Sequence, residues 1–568
     1  MTGAEAMVRS LRRLGVEHLF GLPGSTEGPL LDALAASGEP PRYILGLHEN
    51  VVTAMADGYA RASGRLGVVS LHTSVGTGNA VSQVLNASVD RTPLLALIGH
   101  KDARLTNRDG FCAVEDLPGM LRPFAKWSRE VTDPAQAAED LERAARLAMA
   151  IPRGPTALVV TEDRARATVE QVAPAEIKPG AGWGRCRPAR DGLLAAARAL
   201  AGAERPVLIA GDGVAWSDAM ELLASVALAY GCAVVQEPRR SASRLNCWTD
   251  DPSYCGEYTP EHPAVQTADV IVAMGARVFV EFEPAPEPEL PAGALFVHIH
   301  EDVRELGKRY VPDVALVATA REALEDLLDE APGSPEVPVV PVARVRALRE
   351  EHLQRRRAAR PQVHRSGEGG EGAEGGEDGA LTLPVACRML DELLPADVVL
   401  FDEGVRSSRV LMEHLTVPRG RAYHRNTGGA IGWGLPAAIG AQLACPDRPV
   451  ALFVGDGSAL LTIQALWTAA RYRVPVLVLV ANNRGYQAVQ AAVDKHRVSS
   501  PAGAAVGAVI DDPPPDFVRL AEGFGVPGVA VSTPAELRSA LPAGRPQSPR
   551  VVELLLSGGE RVGAGGAS

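Results

Sequence analysis

The chain has 568 residues, enough for about three or four domains at ~150 residues each. With 46% hydrophobic and 22% charged residues it can bury large cores. A net charge of −12 repels phosphate, which argues against nucleic acid and against an anionic membrane surface as partners.

The N-terminal stretch MTGAEAMVRSLRRLGV lacks the apolar centre of a signal peptide, and Met7, Leu11 and Leu14 repeat at helical spacing. No apolar run approaches the ~20 residues of a membrane span, so a cytoplasmic protein is expected. The 7 cysteines are scattered without a CxxC spacing and read as free thiols of a reducing compartment.

Residues 1–175 alternate strands and helices. VEHLFGLPG reads as a strand into a turn, RYILGL as a strand and ENVVTAMADGYARASG as a helix. LGVVSLHTSVGTGNAVSQVLNAS reads as strand, Gly-rich turn and helix, and TPLLALIG and GPTALVVT as buried strands. Residues 190–330 repeat the alternation in RPVLIAGDG, GCAVVQE, ADVIVAMGA and ALFVHIH. Residues 331–380 read as a linker: a basic helix-like segment and then SGEGGEGAEGGEDGA, which has too few apolar residues to fold alone and is expected to be disordered. Residues 381–558 form a third such block, with ADVVLFDEG, RPVALFVGDG, VPVLVLVANN and PRVVELLL as strands. The fold class expected is α/β, three doubly wound domains with mostly parallel sheets. Ligands of such sheets bind at the carboxyl ends of the strands.

The third block carries the most specific signal. Asp456 sits where the strand PVALFVG stops, between Gly455 and Gly457, and Asn482-Asn483 end the next strand. Residues 458–481 between them hold one helix and one strand, a right-handed crossover that sets the two strand ends side by side. A carboxylate, an amide oxygen and a nearby backbone carbonyl are three hard donors. They suit a small hard cation such as Mg²⁺, completed by a diphosphate and water. The helix that opens at Ser458 offers free amides to phosphate. A second GDG, in IAGDGVA, has no spaced Asn pair and reads as structural.

This spacing resembles the thiamine-diphosphate signature of 2-oxo acid decarboxylases and their relatives. The resemblance implies that Asp456, the side chain of Asn483 and the carbonyl of Gly485 ligate Mg²⁺, with Gly457, Ser458 and Tyr486 against the diphosphate. TGGAIGWGLPAAIGAQLACPDR resembles the stretch that wraps the aminopyrimidine, with Gly429 and Ala430 in it and Ile431 as the apolar prop of the bent cofactor. DEGVRSS, 402–408, is similar to a strand-end loop that also touches the cofactor. In the first block, HENVVTAMADGYA resembles the family's catalytic-glutamate segment, and Glu49 is its glutamate. A carboxylic acid on the pyrimidine nitrogen favours the tautomer that activates the cofactor. The resemblance also implies a homodimer or homotetramer, with the cofactor between the first domain of one subunit and the last domain of another.

Within the family, VEHLFGLPGSTEGPLLDAL and VVSLHTSVGTGNAVSQVLNAS look most like the benzoylformate decarboxylase branch. Ser25 matches a serine that holds the substrate carboxylate, and His72 an active-site histidine that moves protons. The branch's second histidine is missing, and Phe282 stands in its place within GARVFVEFEP. His298 and His300 read as strand-end structure. Ala488, Val489 and Ala492 are expected to line a roomy substrate pocket. The expected activity is decarboxylation of a 2-oxo acid, with carboligation of the product to an acceptor as a second outcome. Two alternatives stand beside it: an acetolactate synthase-like transferase with FAD in the central domain, and a non-catalytic member of the family.

Overall fold

The computed structural model describes the chain apart from residues 106–107, 171–183, 282–283, 285–289, 331, 341, 360–378, 499–502, 504, 542–543 and 558–568. Its strands fall into three six-stranded sheets. The first holds β1 (His18–Gly21), β2 (Arg42–Leu45), β3 (Gly67–His72), β4 (Leu94–His100), β5 (Trp127–Glu130) and β6 (Thr156–Thr161). The second holds β7 (Pro206–Ala210), β8 (Ala233–Gln236), β9 (Tyr254–Glu257), β10 (Val270–Met274), β11 (Leu295–His300) and β12 (Val314–Val317). The third holds β13 (Val399–Glu403), β14 (Ala422–Arg425), β15 (Val450–Gly455), β16 (Val476–Asn482), β17 (Gly528–Val531) and β18 (Arg550–Leu555). These are the three α/β layers that the alternation of apolar runs and helical spacings implied.

The pattern follows from burial. GVVSLH, LLALIGH, VALFVG and VLVLVAN are apolar almost without interruption and buried along their length. A strand covered by helices on both faces has no polar side to alternate with, and parallel pairing with helical crossovers supplies that cover. The central strands pair in parallel.

The outer sheets share one strand order. It is β2-β1-β3-β4-β6-β5 in the first and β14-β13-β15-β16-β18-β17 in the third. In each, the chain reverses direction across the sheet between its first and third strands, and the crevice of a doubly wound sheet opens at that reversal. The middle sheet runs β12-β11-β10-β7-β8-β9, with its reversal between β7 and β10.

The chain separates into two compact units, residues 1–181, 372–415 and 424–568 in one and 182–371 and 416–423 in the other. In the first unit, the helix Glu49–Ser63 lies directly on the helix Gly434–Ala444. Gly58 meets the carbonyl of Ala437 and Gly440 that of Met55 so closely that a methyl group at either would overlap backbone. A buried charge cluster sits beside this crossing. Arg61 bonds Asp57 at 2.8 Å and Asp90 at 2.6 Å, donates to the carbonyl of Arg425 at 2.8 Å, and lies over the Trp433 ring. Asp57 accepts from the Trp433 indole and Asp90 from the Thr427 hydroxyl. The helix segment ADGYAR thus ties the first sheet's helices to residues 425–433.

The structure differs from the sequence expectation in three places. The SVGTGN stretch is not a turn: β3 runs straight into the helix Thr73–Val89. The crossover between Asp456 and Asn482 carries two short helices, Asp456–Leu461 and Ala465–Tyr472, rather than one. The strands β5, β9, β12, β14 and β17 carry no long apolar run, and that is why pattern reading passed over them. Within the stretch read as a linker, residues 342–359 form a helix whose Leu348 is buried. Most of the Gly/Glu-rich run lies outside the described residues.

Candidate active site

Three loops of the first sheet gather chemistry at its carboxyl edge. β1 ends at Gly21, and a single 3-10 turn, Ser25–Glu27, follows. β2 ends at Leu45, and Glu49 opens the next helix. β3 ends on His72. In strand order these are neighbours, with the serine turn and His72 flanking the reversal point.

Glu49 is buried at 6% exposure. Its Oε2 accepts from the Asn79 amide at 3.0 Å, and Gly76 passes so near that a Cβ there would lie 3.0 Å from Oε1. The two glycines of SVGTGN are therefore helical positions, and Gly76 leaves room for the carboxylate. That is the physical reason a glycine-rich run continues as helix here.

His72 is held by residues that sequence reading did not single out. Its Nδ1 lies 2.9 Å from Thr26 Oγ1 and 3.2 Å from Glu27 Oε2. Thr26 donates its own hydrogen to Glu27 Oε1 at 2.5 Å, and Gly24 N donates to Oε2 at 2.7 Å. With the threonine hydrogen so engaged, the contact between Thr26 and His72 requires Nδ1 to carry a proton. The neutral ring then has its lone pair on Nε2. Glu27 is itself buried, and burial raises its pKa against the pull of these donors and of His72. Gly24 and Gly99 make the niche: a Cβ on the first would strike the His72 ring and on the second the Glu27 carboxylate. The signal for Glu27 was present as the fourth position of GSTE, where it closes a cap on Gly24.

The third sheet builds the second half. β15 and β16 pair with Gly455 opposite Ala481, which sets Asp456 beside the Asn482-Asn483 pair. Asp456 is 3% exposed; its Oδ1 accepts from Gly457 N at 2.8 Å and its Oδ2 from Gly485 N at 3.0 Å. Burial raises its pKa, opposed by backbone amides of residues 457 and 483–485. Asn482 turns away and bonds Glu553 at 2.6 Å. The side-chain oxygen of Asn483 is buried with no hydrogen-bond partner. A buried acceptor without a donor costs about 1–3 kcal/mol, so it marks a place for something electropositive. Among the described residues no three His, Cys, Asp or Glu side chains gather as a metal cluster. One carboxylate, one amide oxygen and backbone are instead the hard oxygen set that Mg²⁺ accepts.

Around this centre Ser458 is buried within the helix Asp456–Leu461. The ring of Tyr486 lies against Gly457, where a Cβ would collide with it. Gly429 takes φ +85 and Gly432 φ +83, so the 429–432 turn needs glycine at both ends. Asn86 holds Ala430 by both its backbone groups, at 2.8 Å and 3.2 Å, and Ile431 is half-buried beside them. Glu403, fully buried at the end of β13, accepts from Trp433 N and Gly434 N, each at 2.9 Å. Burial pushes its pKa up to about 7.

The structure thus brings together Ser25 and His72 at one edge, and Asp456, Gly457, Ser458, Asn483, Gly485 and Tyr486 at the other. Ala488 and Ala492 are exposed on the helix Gln487–His496, as is Val489 at 43%. Phe282 lies outside the described residues. His298 and His300 are buried in β11, the first bonded to the Ala276 carbonyl and the second accepting from Asp302 N. No described helix is long and apolar enough to cross a membrane.

Outer sheets with matching strand order, one carrying a buried glutamate and the other a buried Asp–Asn oxygen set, define a thiamine-diphosphate-binding α/β architecture. Comparison with known proteins agrees. The N-terminal, central and C-terminal domains of thiamine pyrophosphate enzymes match residues 1–121, 193–327 and 405–554. The benzoylformate decarboxylase of Pseudomonas aeruginosa is 31% identical over 544 residues, 94% of each chain. The acetolactate synthase large subunit of Parasynechococcus marenigrum is 29% identical, covering 99% of this chain and 88% of that one. Among solved structures, a 4-hydroxybenzoylformate decarboxylase of Rhodococcus jostii RHA1 superposes with TM-score 0.81 at 28% identity, covering 99% of this chain and all of the other. The chain belongs to the thiamine pyrophosphate enzyme family.

Proposed function

We propose that the protein decarboxylates a 2-oxo acid with thiamine diphosphate held through Mg²⁺. The observation that carries this reading is the unpartnered, buried oxygen of Asn483 beside the Asp456 carboxylate. Asp456, Asn483 and the carbonyl of Gly485 hold the cation, and Gly457, Ser458 and Tyr486 flank the diphosphate. The 429–431 turn, braced by Asn86 at Ala430 and followed by Trp433 and Gly434 on Glu403, would set Ile431 against the cofactor's ring system. Bound there, the cofactor supplies a carbon nucleophile and an electron sink. Glu49 presents a carboxyl to its pyrimidine nitrogen, steadied by Asn79. Ser25 takes the substrate carboxylate. His72 accepts and returns protons at Nε2 because Glu27 and Thr26 fix Nδ1.

Active sites between two copies of the chain fit the same reading, as a dimer or tetramer. So does carboligation of the decarboxylated product to an acceptor, since Phe282 replaces a second histidine and Ala488, Val489 and Ala492 leave the pocket wide. The FAD-containing alternative finds a crowded crevice. At the reversal point of the middle sheet, Gly211 N and Gly213 N donate directly to the carbonyls of Met274 and Gly275 at 3.0 and 3.1 Å. A methyl on Gly211 would overlap Ala276, so the loops after β7 and β10 meet backbone to backbone there.

Calorimetric titration of the apo-protein with thiamine diphosphate and Mg²⁺ tests the reading. Saturable heat that disappears in Asp456→Ala is expected, and absence of heat in the wild type refutes it. A panel of 2-oxo acids, with and without aldehydes, then identifies the substrate by CO₂ release and product mass.

A further inference from the structure

Lys101 follows the last residue of β4 and lies beyond His72, on the far side of the reversal point from Ser25. Across β4 and β6, His100 stands opposite Thr161, so the natural partner of Lys101 is Glu162 on the adjacent strand end. The ammonium is indeed 3.5 Å from Glu162 Oε1. Its shorter contact runs the other way. Nζ donates to Ser25 Oγ at 3.0 Å, which requires the stem to reach over the end of β3 to the loop after β1. Two strand spacings are about 9.6 Å, so only an extended side chain directed along the edge makes this bond. A partly exposed ion pair at 3.5 Å is weak and does not by itself explain that reach.

The bond has a consequence for the serine. An ammonium has hydrogens only to give, so Ser25 Oγ is the acceptor. Its own hydrogen is then free to donate, and an oxygen that already accepts from a cation donates more strongly. We propose that Lys101 is the positioning residue of the substrate-carboxylate subsite: it turns the Ser25 hydroxyl outward as a donor and adds one positive charge beside the bound anion. The inference rests on the reading of Ser25 as the residue that meets the substrate carboxylate. The ammonium is shared with Glu162, so the subsite holds one cation for one substrate carboxylate.

The test uses the full-length enzyme loaded with thiamine diphosphate and Mg²⁺. Lys101→Met is expected to raise KM for the 2-oxo acid at least tenfold with kcat within threefold, and Lys101→Arg to restore KM to within threefold. In the Ser25→Ala background the Lys101→Met change is expected to lose most of its effect. Calorimetric affinity for the cofactor stays within twofold in every variant. If Lys101→Met unfolds, Lys101→Gln serves for the same comparison. An unchanged KM in Lys101→Met, or an equal effect with and without Ser25, overturns the inference. An unchanged KM in Ser25→Ala also overturns it, while loss of turnover in Glu49→Gln would still uphold the thiamine reading. If Glu49→Gln turns over normally, that reading fails first.

Discussion

Glu237 is fully buried just past β8. Its Oε1 accepts from Arg277 N at 2.6 Å, and its Oε2 has no hydrogen-bond partner. Burial pushes its pKa up to about 8 from an ordinary 4.5, against the pull of Arg277. Between those values the folded chain holds a proton that the unfolded chain has released. Its contribution to stability is therefore complete below pH 4.5 and is lost as pH rises through about 8. Glu237→Gln keeps the acceptor for Arg277 and removes the titration. The unfolding free energy of the variant, from urea titrations followed by tryptophan emission, is expected to fall less between pH 5 and 8, by an amount on the order of 2–5 kcal/mol. Parallel pH curves for variant and wild type would refute the assignment. A residue such as this was not legible in the sequence. GCAVVQE shows an apolar run with an acid after it, but which strand-end acid is buried depends on the loops from β7 and β10 that close over it. Glu49 and Asp456 were legible because each sits in a spaced motif. Glu27 showed only its cap spacing from Gly24, and Lys101 was not legible because its meaning comes from strand order.

At the scale of elements, two glycines make opposite predictions. Gly76 lies inside the helix Thr73–Val89, where alanine would favour the helix by about 0.5–1 kcal/mol. Its Cβ, however, would stand 3.0 Å from Glu49 Oε1 and push the carboxylate aside. Gly76→Ala is therefore expected to keep or slightly raise the melting temperature while turnover falls at least tenfold. A loss of both together would point to general damage rather than displacement of Glu49. Gly440 lies in the helix Gly434–Ala444, where the same gain of propensity is opposed by overlap with the Met55 carbonyl, a backbone atom that has little freedom to move. Overpacking of this kind costs about 1–3 kcal/mol, so Gly440→Ala should lower the denaturation midpoint. An unchanged midpoint would show that the two helices can separate without loss. Of the two helices that cross here, Glu49–Ser63 was readable in the sequence and Gly434–Ala444 was not. Nor was their close crossing, because a glycine in a helical run looks the same whether it faces solvent or another backbone.

At the scale of the molecule, the exposed apolar side chains of the first unit concentrate where strands end. Leu47 follows β2, Val75 follows β3, Val405 follows β13, Leu461 follows β15 and Val489 follows β16, each between 38% and 54% exposed. These are the carboxyl edges that carry Glu49, His72, Asp456 and Asn483. Clustered exposed apolar side chains at functional edges are what a second copy of the chain would cover. The proposed shared site makes a sharp prediction for hybrids. Take Glu49→Gln and Asp456→Ala, each inactive by itself, and co-express them with different tags. In a dimer of one of each, one site receives both substitutions and the other receives neither. Hybrids purified on both tags should recover between about a quarter and a half of wild-type turnover. If instead each site takes its glutamate and its metal ligands from one chain, every site in the hybrid lacks one of them. The preparation would then stay inactive, and the shared-site reading would be lost while the fold and the family remained as they are.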